Sequence, residues 1–217
     1  MPMNRPILAW LLAAACAGAA AADDPLQPAL NAAVAQYEAG RFARARQAFE
    51  ALARRGVPAA DYNLAVMNLR GEGGRPAPAE ARRRLERAAG AGFVSAQLML
   101  AQGLEQGDFG VRDLPAAMAW YARAAEAGSV AAQVEIGTAH YLGRGAPRDA
   151  TRAAGWYREA AKAGDVGAMY LLASMYEQGD GVERDLRLAR YWYEAAARSG
   201  DPAAPSKLKE LDAQESR

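Results

Sequence analysis

The chain has 217 residues, with 26 Lys and Arg against 25 Asp and Glu, for a formal charge of +1. A balance this close excludes a bulk attraction to nucleic acid or to an anionic membrane. Much of the 52% apolar fraction is alanine, and Phe and Trp number four each, so the composition favours closely packed helices over a large aromatic core.

In chain order the first element is an export segment. Asn4 and Arg5 make a short basic start, Ile7 to Leu12 open an apolar run, and Ala20-Ala21-Ala22 gives a small-residue cleavage site before Asp23. That layout predicts a signal peptide over 1–22 and a periplasmic or secreted mature chain. The strongly apolar stretch is too short for a membrane anchor, so the mature chain is expected to have no transmembrane segment. The alternative is lipidation at Cys16, although Ala13-Ala14-Ala15 lacks the large aliphatic residue usual upstream. Cys16 is the single cysteine; cleavage after Ala22 leaves no disulfide, thiolate nucleophile or cysteine metal ligand.

Beyond that segment the sequence repeats. Gly56, Gly92, Gly128, Gly164 and Gly200 are 36 residues apart, and so are Gly71, Gly107, Gly143 and Gly179. Ala60, Ala96, Ala132 and Ala168 keep the interval, as do Ala81, Ala117, Ala153 and Ala189. Such a period marks a helical repeat array. The first frame, 23–56, is a hairpin turning at Gly40-Arg41-Phe42, with Ala33, Ala45 and Phe49 at small, small and aromatic positions. Frames 57–92, 93–128, 129–164 and 165–200 follow. Segment 201–217 closes the chain with a capping helix from Lys207 to about Gln214.

Frame 165–200 shows the logic best. Its first helix is predicted over 166–178 and stops at Gly179-Asp180-Gly181, where glycine reaches the left-handed region without a Cβ clash. Asp185 then caps the second helix, as Asp113 and Asp149 do in earlier frames. One hairpin cannot bury its own apolar stripe, so neighbours must stack. Trp120, Trp156 and Trp192 are expected to fill that shared core. Frame 57–92 departs from the pattern, with Ala77 in the Asp column and Arg84 in the Trp column, and Pro76 and Pro78 flanking its second helix. Trp156→Ala is therefore expected to cost about 3–5 kcal/mol. Arg84→Ala should cost far less if the guanidinium stays in water.

Residues 57–200 resemble the Sel-one-like repeat (SLR) family, relatives of tetratricopeptide repeats. The resemblance rests on Ile136-Gly137, Gly143-Arg144-Gly145, Asp149, Trp156-Tyr157, Ala160-Ala161 and their counterparts in 165–200, where Ala173 replaces the first Gly. It implies an all-α fold, an α/α superhelix forming a right-handed, tetratricopeptide-like solenoid of helix hairpins with a concave face. It also implies an adaptor role towards a protein or peptide partner. Some cysteine-rich relatives are described as binding or hydrolysing β-lactams, but their cysteine pair per repeat is missing here.

No P-loop, G-x-S-x-G or H-E-x-x-H motif occurs, so no catalytic, cofactor or metal site is expected. The lone His140 stands in a Tyr column and reads as a core-edge residue. If the first helices form the concave wall, its candidate residues are Tyr62, Leu69 and Arg70, then Leu98, Gln102 and Gln106. Thr138 and Tyr141 continue it, followed by Tyr170, Ser174 and Gln178. Aromatic, apolar and amide groups suit a protein surface, although each residue has an alternative role in touching the next hairpin. The Arg82-Arg83-Arg84 cluster with Arg87 reads either as a solvated face or as a docking patch for an acidic partner. The expected function is a monomeric envelope adaptor or regulator. The alternatives are a cell-wall enzyme or glycan binder, or a structural outer-membrane lipoprotein.

Overall fold

The computed structural model describes residues 25–215, and the export segment with Cys16 lies outside them. Eleven helices and no strand are present among the described residues. They fall into two compact units, Met1–Arg112 and Asp113–Arg217. The first unit holds α1 (Gln27–Glu38), α2 (Phe42–Arg54), α3 (Pro58–Arg70), α4 (Pro78–Gly90) and α5 (Val94–Gln106). The second holds α6 (Leu114–Glu126), α7 (Val130–Leu142), α8 (Ala150–Lys162), α9 (Val166–Gln178), α10 (Leu186–Arg198) and α11 (Ala204–Glu215).

Within each unit, consecutive helices pack on one another through alanine. Ala60, Ala81 and Ala96 in the first unit, and Ala132, Ala153, Ala168 and Ala189 in the second, are fully buried. A side chain this small lets helix surfaces meet with few voids. The loops close by a recurring set of bonds. Gly179 ends α9 at φ 74°, and the amide of Asp180 reaches back to the Met175 carbonyl. The Asp185 amide then binds the Tyr176 carbonyl, and the Asp185 carboxylate accepts from the amides of Arg187 and Leu188 at the start of α10. Asp113 and Asp149 cap α6 and α8 in the same way, whereas Ala77 offers α4 no side-chain cap.

The loops also pack on the hairpin before them. Gly181 lies so close to the backbone of Ala150 at the start of α8 that a Cβ would sit 2.3 Å from its carbonyl. At the equivalent place in frame 93–128 stands Phe109, which folds back so that its ring covers Gly103 of α5.

Three expectations need correction. The Trp column is only half-buried, at Trp120, Trp156 and Trp192 alike. The core aromatic is the tyrosine beside each: Tyr121, Tyr157 and Tyr193 are at most 2% exposed. The tyrosine wins the interior because its hydroxyl finds a partner on the first helix of the same hairpin. Tyr157 Oη lies 3.0 Å from Thr138 Oγ1, and Tyr193 Oη donates to Glu177 at 2.7 Å. The Trp rings instead lie where a half-exposed surface suits them; Trp120 carries the Arg123 guanidinium over its face.

Arg84 does not keep its head in water. Its side chain is 16% exposed and pairs with buried Asp61 at 3.2 Å and with Glu80 at 3.1 Å. Removing one partner of such a pair leaves the other poorly compensated, so Arg84→Ala is not the mild change expected of a solvated arginine. The closing helix, finally, begins at Ala204 rather than Lys207. Asp201 accepts from the amides of Ala203 and Ala204 and so starts it a turn earlier. Leu211 and Ala204 are buried, while Lys207 and Asp212 pair with Glu177 and Arg190.

The exchange of aromatic roles is measurable. Tyr157→Ala should cost about 3–5 kcal/mol in chemical denaturation, the range for emptying a large buried aromatic site. Trp156→Ala should cost clearly less, and an equal or larger loss there contradicts the assignment.

Candidate functional site

The first helices carry the residues singled out for a partner wall, and the structure separates them into three groups. Tyr62 and Leu98 are buried, at 2% and 6% exposure. Tyr62 meets Phe93 edge to face, and burial raises its phenol pKa to about 12. Neither side chain is open to a partner, so both are core residues rather than wall residues. Helical spacing alone did not separate them, because α3 is buried on nearly every side, with polar Asp61, Asn63 and Asn68 enclosed as well.

A second group is accessible but already engaged. Thr138 bonds the Val134 carbonyl and the Tyr157 hydroxyl. Tyr170 packs edge to face on Tyr193, with ring centroids 5.2 Å apart. Arg70 donates to Tyr37 Oη at 2.9 Å and stands 3.8 Å from Glu72. Burial and the Glu72 carboxylate together raise the Tyr37 phenol above its ordinary value. These residues touch neighbouring helices, the alternative left open for each of them. Leu69 and Gln102 are half-buried, and Gln106 is exposed at the end of α5.

The third group comes together. Tyr141 from α7, with Ser174 and Gln178 from α9, lines a small cavity of about 50 Å³ in the second unit. Tyr157, Leu171 and Met175 complete it. Its floor is apolar and its rim carries a hydroxyl and an amide, with Gln178 donating to Ser174 Oγ at 3.1 Å. Leu171 is an exposed large apolar residue beside it, and Leu142 is another at the end of α7. Leu171 was missed because the count followed every third or fourth residue from the wall register, and Leu171 sits one place beyond Tyr170. Its signal was an aliphatic side chain at the place where frame 129–164 has Glu135.

The arginine cluster on α4 is spent within the chain. Arg82 pairs with Glu86, Arg83 with Glu80, and both Arg84 and Arg87 with Asp61. The hydrogen bonds that Arg87 donates to Asp61 raise the Arg87 pKa, and the bond from Arg83 lowers that of Glu80. Of the two readings of this cluster, intrachain pairing accounts for all four arginines, although Arg82, Arg83 and Arg87 keep 42%, 63% and 57% of their side chains exposed.

No group of three or more His, Cys, Asp and Glu residues among those described is placed to hold a metal ion. His140 is buried, as its column suggested, and its Nδ1 has no hydrogen-bond partner.

Paired helices joined by glycine-stopped loops, with buried alanine columns in both units, define an α/α helical-repeat solenoid. The chain belongs to the Sel1 repeat family, whose model matches residues 58–93, 94–129, 130–165 and 166–201. Proteins of this family are generally protein-interaction modules. Among solved structures it is similar to c5321, a protective antigen of uropathogenic Escherichia coli strains that displays an SLR fold. The identity is 30% and the TM-score 0.78, over 84% of this chain and 40% of that one. It is also similar to a Sel1 repeat protein from Oxalobacter formigenes, at 33% identity and TM-score 0.72, over 78% of this chain and 50% of that one. This chain thus spans half or less of the length of these two relatives. No curated protein matches it. Among the described residues no helix is long and apolar enough to cross a membrane.

The buried histidine gives a pH dependence. Burial, helped by the Arg152 charge and opposed by Asp149, lowers the His140 pKa below its ordinary value. The fold thus prefers the neutral ring, and this stabilisation is complete above the unfolded value of about 6.5. It is lost as the pH falls through the lowered folded value. Melting temperature should drop between about pH 7.5 and pH 5.5. His140→Leu, the residue of the Leu104 column, should show a smaller drop; an identical one contradicts the assignment.

Proposed function

We propose that this chain is an exported interaction module that holds a segment of a partner protein against the α7–α9 wall of its second unit. The observation that carries this reading is the cavity among Tyr141, Leu171, Met175 and Gln178, an apolar hollow with hydrogen-bonding groups on its rim. Its volume takes a small aliphatic branch of a bound segment. The Ser174 hydroxyl and the Gln178 amide, bonded to each other here, are the polar groups that would turn to the segment's backbone. Aromatic and apolar anchors surrounded by amides are the usual make-up of a protein-recognition surface. The family's general role as an interaction module supports the same reading.

Its place is the bacterial envelope, as an adaptor or regulator, on the strength of the basic start, apolar run and Ala-rich cleavage site of residues 1–22. The module works by binding and not by turnover. His140 is shut in the core, and the carboxylates near the wall are committed elsewhere: Glu177 to Tyr193 and Lys207, and Asp180 to Arg148.

Two measurements test the two halves of this proposal. Mass spectrometry of the mature protein should give Asp23 as the first residue, and an acylated Cys16 would replace the soluble adaptor with a membrane-anchored one. Panning a random-peptide display library on the mature chain should yield peptides with small aliphatic residues. Leu171→Arg should weaken their binding at least about ten-fold while helix content and melting stay unchanged. Undiminished binding by that variant contradicts the wall as the binding face.

A further inference from the structure

The last hairpin carries an arginine surface whose charge is not neutralised within the chain. Arg158, Arg184 and Arg187 line an open depression of about 780 Å³ between α8 and the start of α10, together with Val182, Leu186 and Leu188. Tyr176, Glu183 and Asp185 complete the lining.

Two of the three arginines give their hydrogen bonds to neutral acceptors, which leaves their charge in place. Arg158 donates to the Tyr176 hydroxyl at 2.9 Å, and Arg184 to the Glu177 carbonyl at 3.0 Å. The Arg187 side chain is 94% exposed and lies 3.8 Å from Asp185, whose carboxylate is already held by two α10 amides. Three guanidinium groups therefore face two carboxylates, Glu183 and Asp185, and the surface is net positive.

A large apolar group, Leu188, lines the depression, and Tyr191 follows it on the same helix. Leu188 and Tyr191 lie one turn apart on α10, at 38% and 55% exposure. Stacking does not require them: the matching positions are Arg152 and Gly155 on α8, and Ala116 and Ala119 on α6. Those helices take the same length and the same cap without a leucine or a tyrosine there.

We propose that this depression is a second docking surface, for an acidic segment of a partner protein that also carries apolar side chains. Charge complementarity selects the acidic character, and Val182, Leu186, Leu188 and Tyr191 select the apolar one. A bare polyanion would satisfy the arginines and leave that apolar area without a partner. The surface is independent of the α7–α9 wall and stands whether or not the wall binds anything.

Three labelled peptides of equal length test this. One combines Asp and Glu with Leu and Phe, the second replaces its acids by Lys, and the third keeps the acids and replaces Leu and Phe by Ser. Fluorescence anisotropy with the mature chain should show the first peptide binding, more weakly as salt rises. The second should not bind, and the third should bind at least about ten-fold more weakly than the first. The doubly substituted Arg187→Glu, Leu188→Ser chain should lose the first peptide at least about ten-fold with unchanged circular dichroism. Tyr141→Ala should retain it. Failure of the first peptide to bind overturns the proposal, as does equal binding of the lysine peptide or full binding by the double variant. Equal binding of the serine peptide overturns it in favour of a polyanion site. Loss of binding in Tyr141→Ala alone moves the peptide to the wall and also overturns it.

Discussion

Everything in this protein depends on how closely its helices approach at their alanine crossings. Ala81, Ala153 and Ala189 are fully buried, so a larger side chain at those levels would have to displace its neighbours. Overpacking there by even a few methylenes would force the hairpins apart, at a typical cost of about 1–3 kcal/mol. Space for bulk remains only beside the crossings. The second helices place a tyrosine or leucine there, at Leu85, Tyr121, Tyr157 and Tyr193. Because the Tyr157 and Tyr193 hydroxyls end beside Thr138 and Glu177, the close contact also decides which polar residues of α7 and α9 are already committed. Beside these, α7 and α9 leave the cavity lined by Tyr141, Leu171 and Gln178 open, although Gln178 bonds Ser174 and Arg148 lies over the Tyr141 ring.

The regular features were legible in the sequence because each is local. A glycine at Gly179 and an aspartate at Asp185 fix a helix stop and a helix start through bonds made within a few residues, so their column spacing reveals the element ends. The family pattern supplied the hairpin pairing. What the sequence hid was side-chain direction among neighbours. Trp156 and Tyr157 are adjacent in a helix, and spacing does not tell which of two large aromatics turns inward. A hydroxyl partner nineteen residues away, Thr138, accompanies that choice. Arg84 likewise looked like a solvated arginine in a vacant Trp position until Asp61, twenty-three residues upstream, proved to be buried opposite it.

The wall was half legible for the same reason. Tyr141, Ser174 and Gln178 were found by counting along helices, and the structure brings them to one cavity. Tyr62 and Leu98 obeyed the same count and are buried. The count assumes that every first helix shows its partner the same face. Yet α3 is enclosed along most of its length, whereas α9 leaves Leu171 and Gln178 open. Both proposed surfaces fall where a repeat deviates from its column, with Leu171 in place of Glu135 and Leu188 in place of Arg152.

The central claim, that the α7–α9 wall receives the partner segment, is tested most directly by following side-chain methyl groups. A methyl-labelled mature chain would be titrated with a peptide selected on the wild-type protein and observed by NMR. The account predicts that the Leu171 and Met175 methyl signals shift first and most, while those of Ala153 and Ala189 stay in place at the buried crossings. Binding that leaves Leu171 and Met175 unmoved would contradict it.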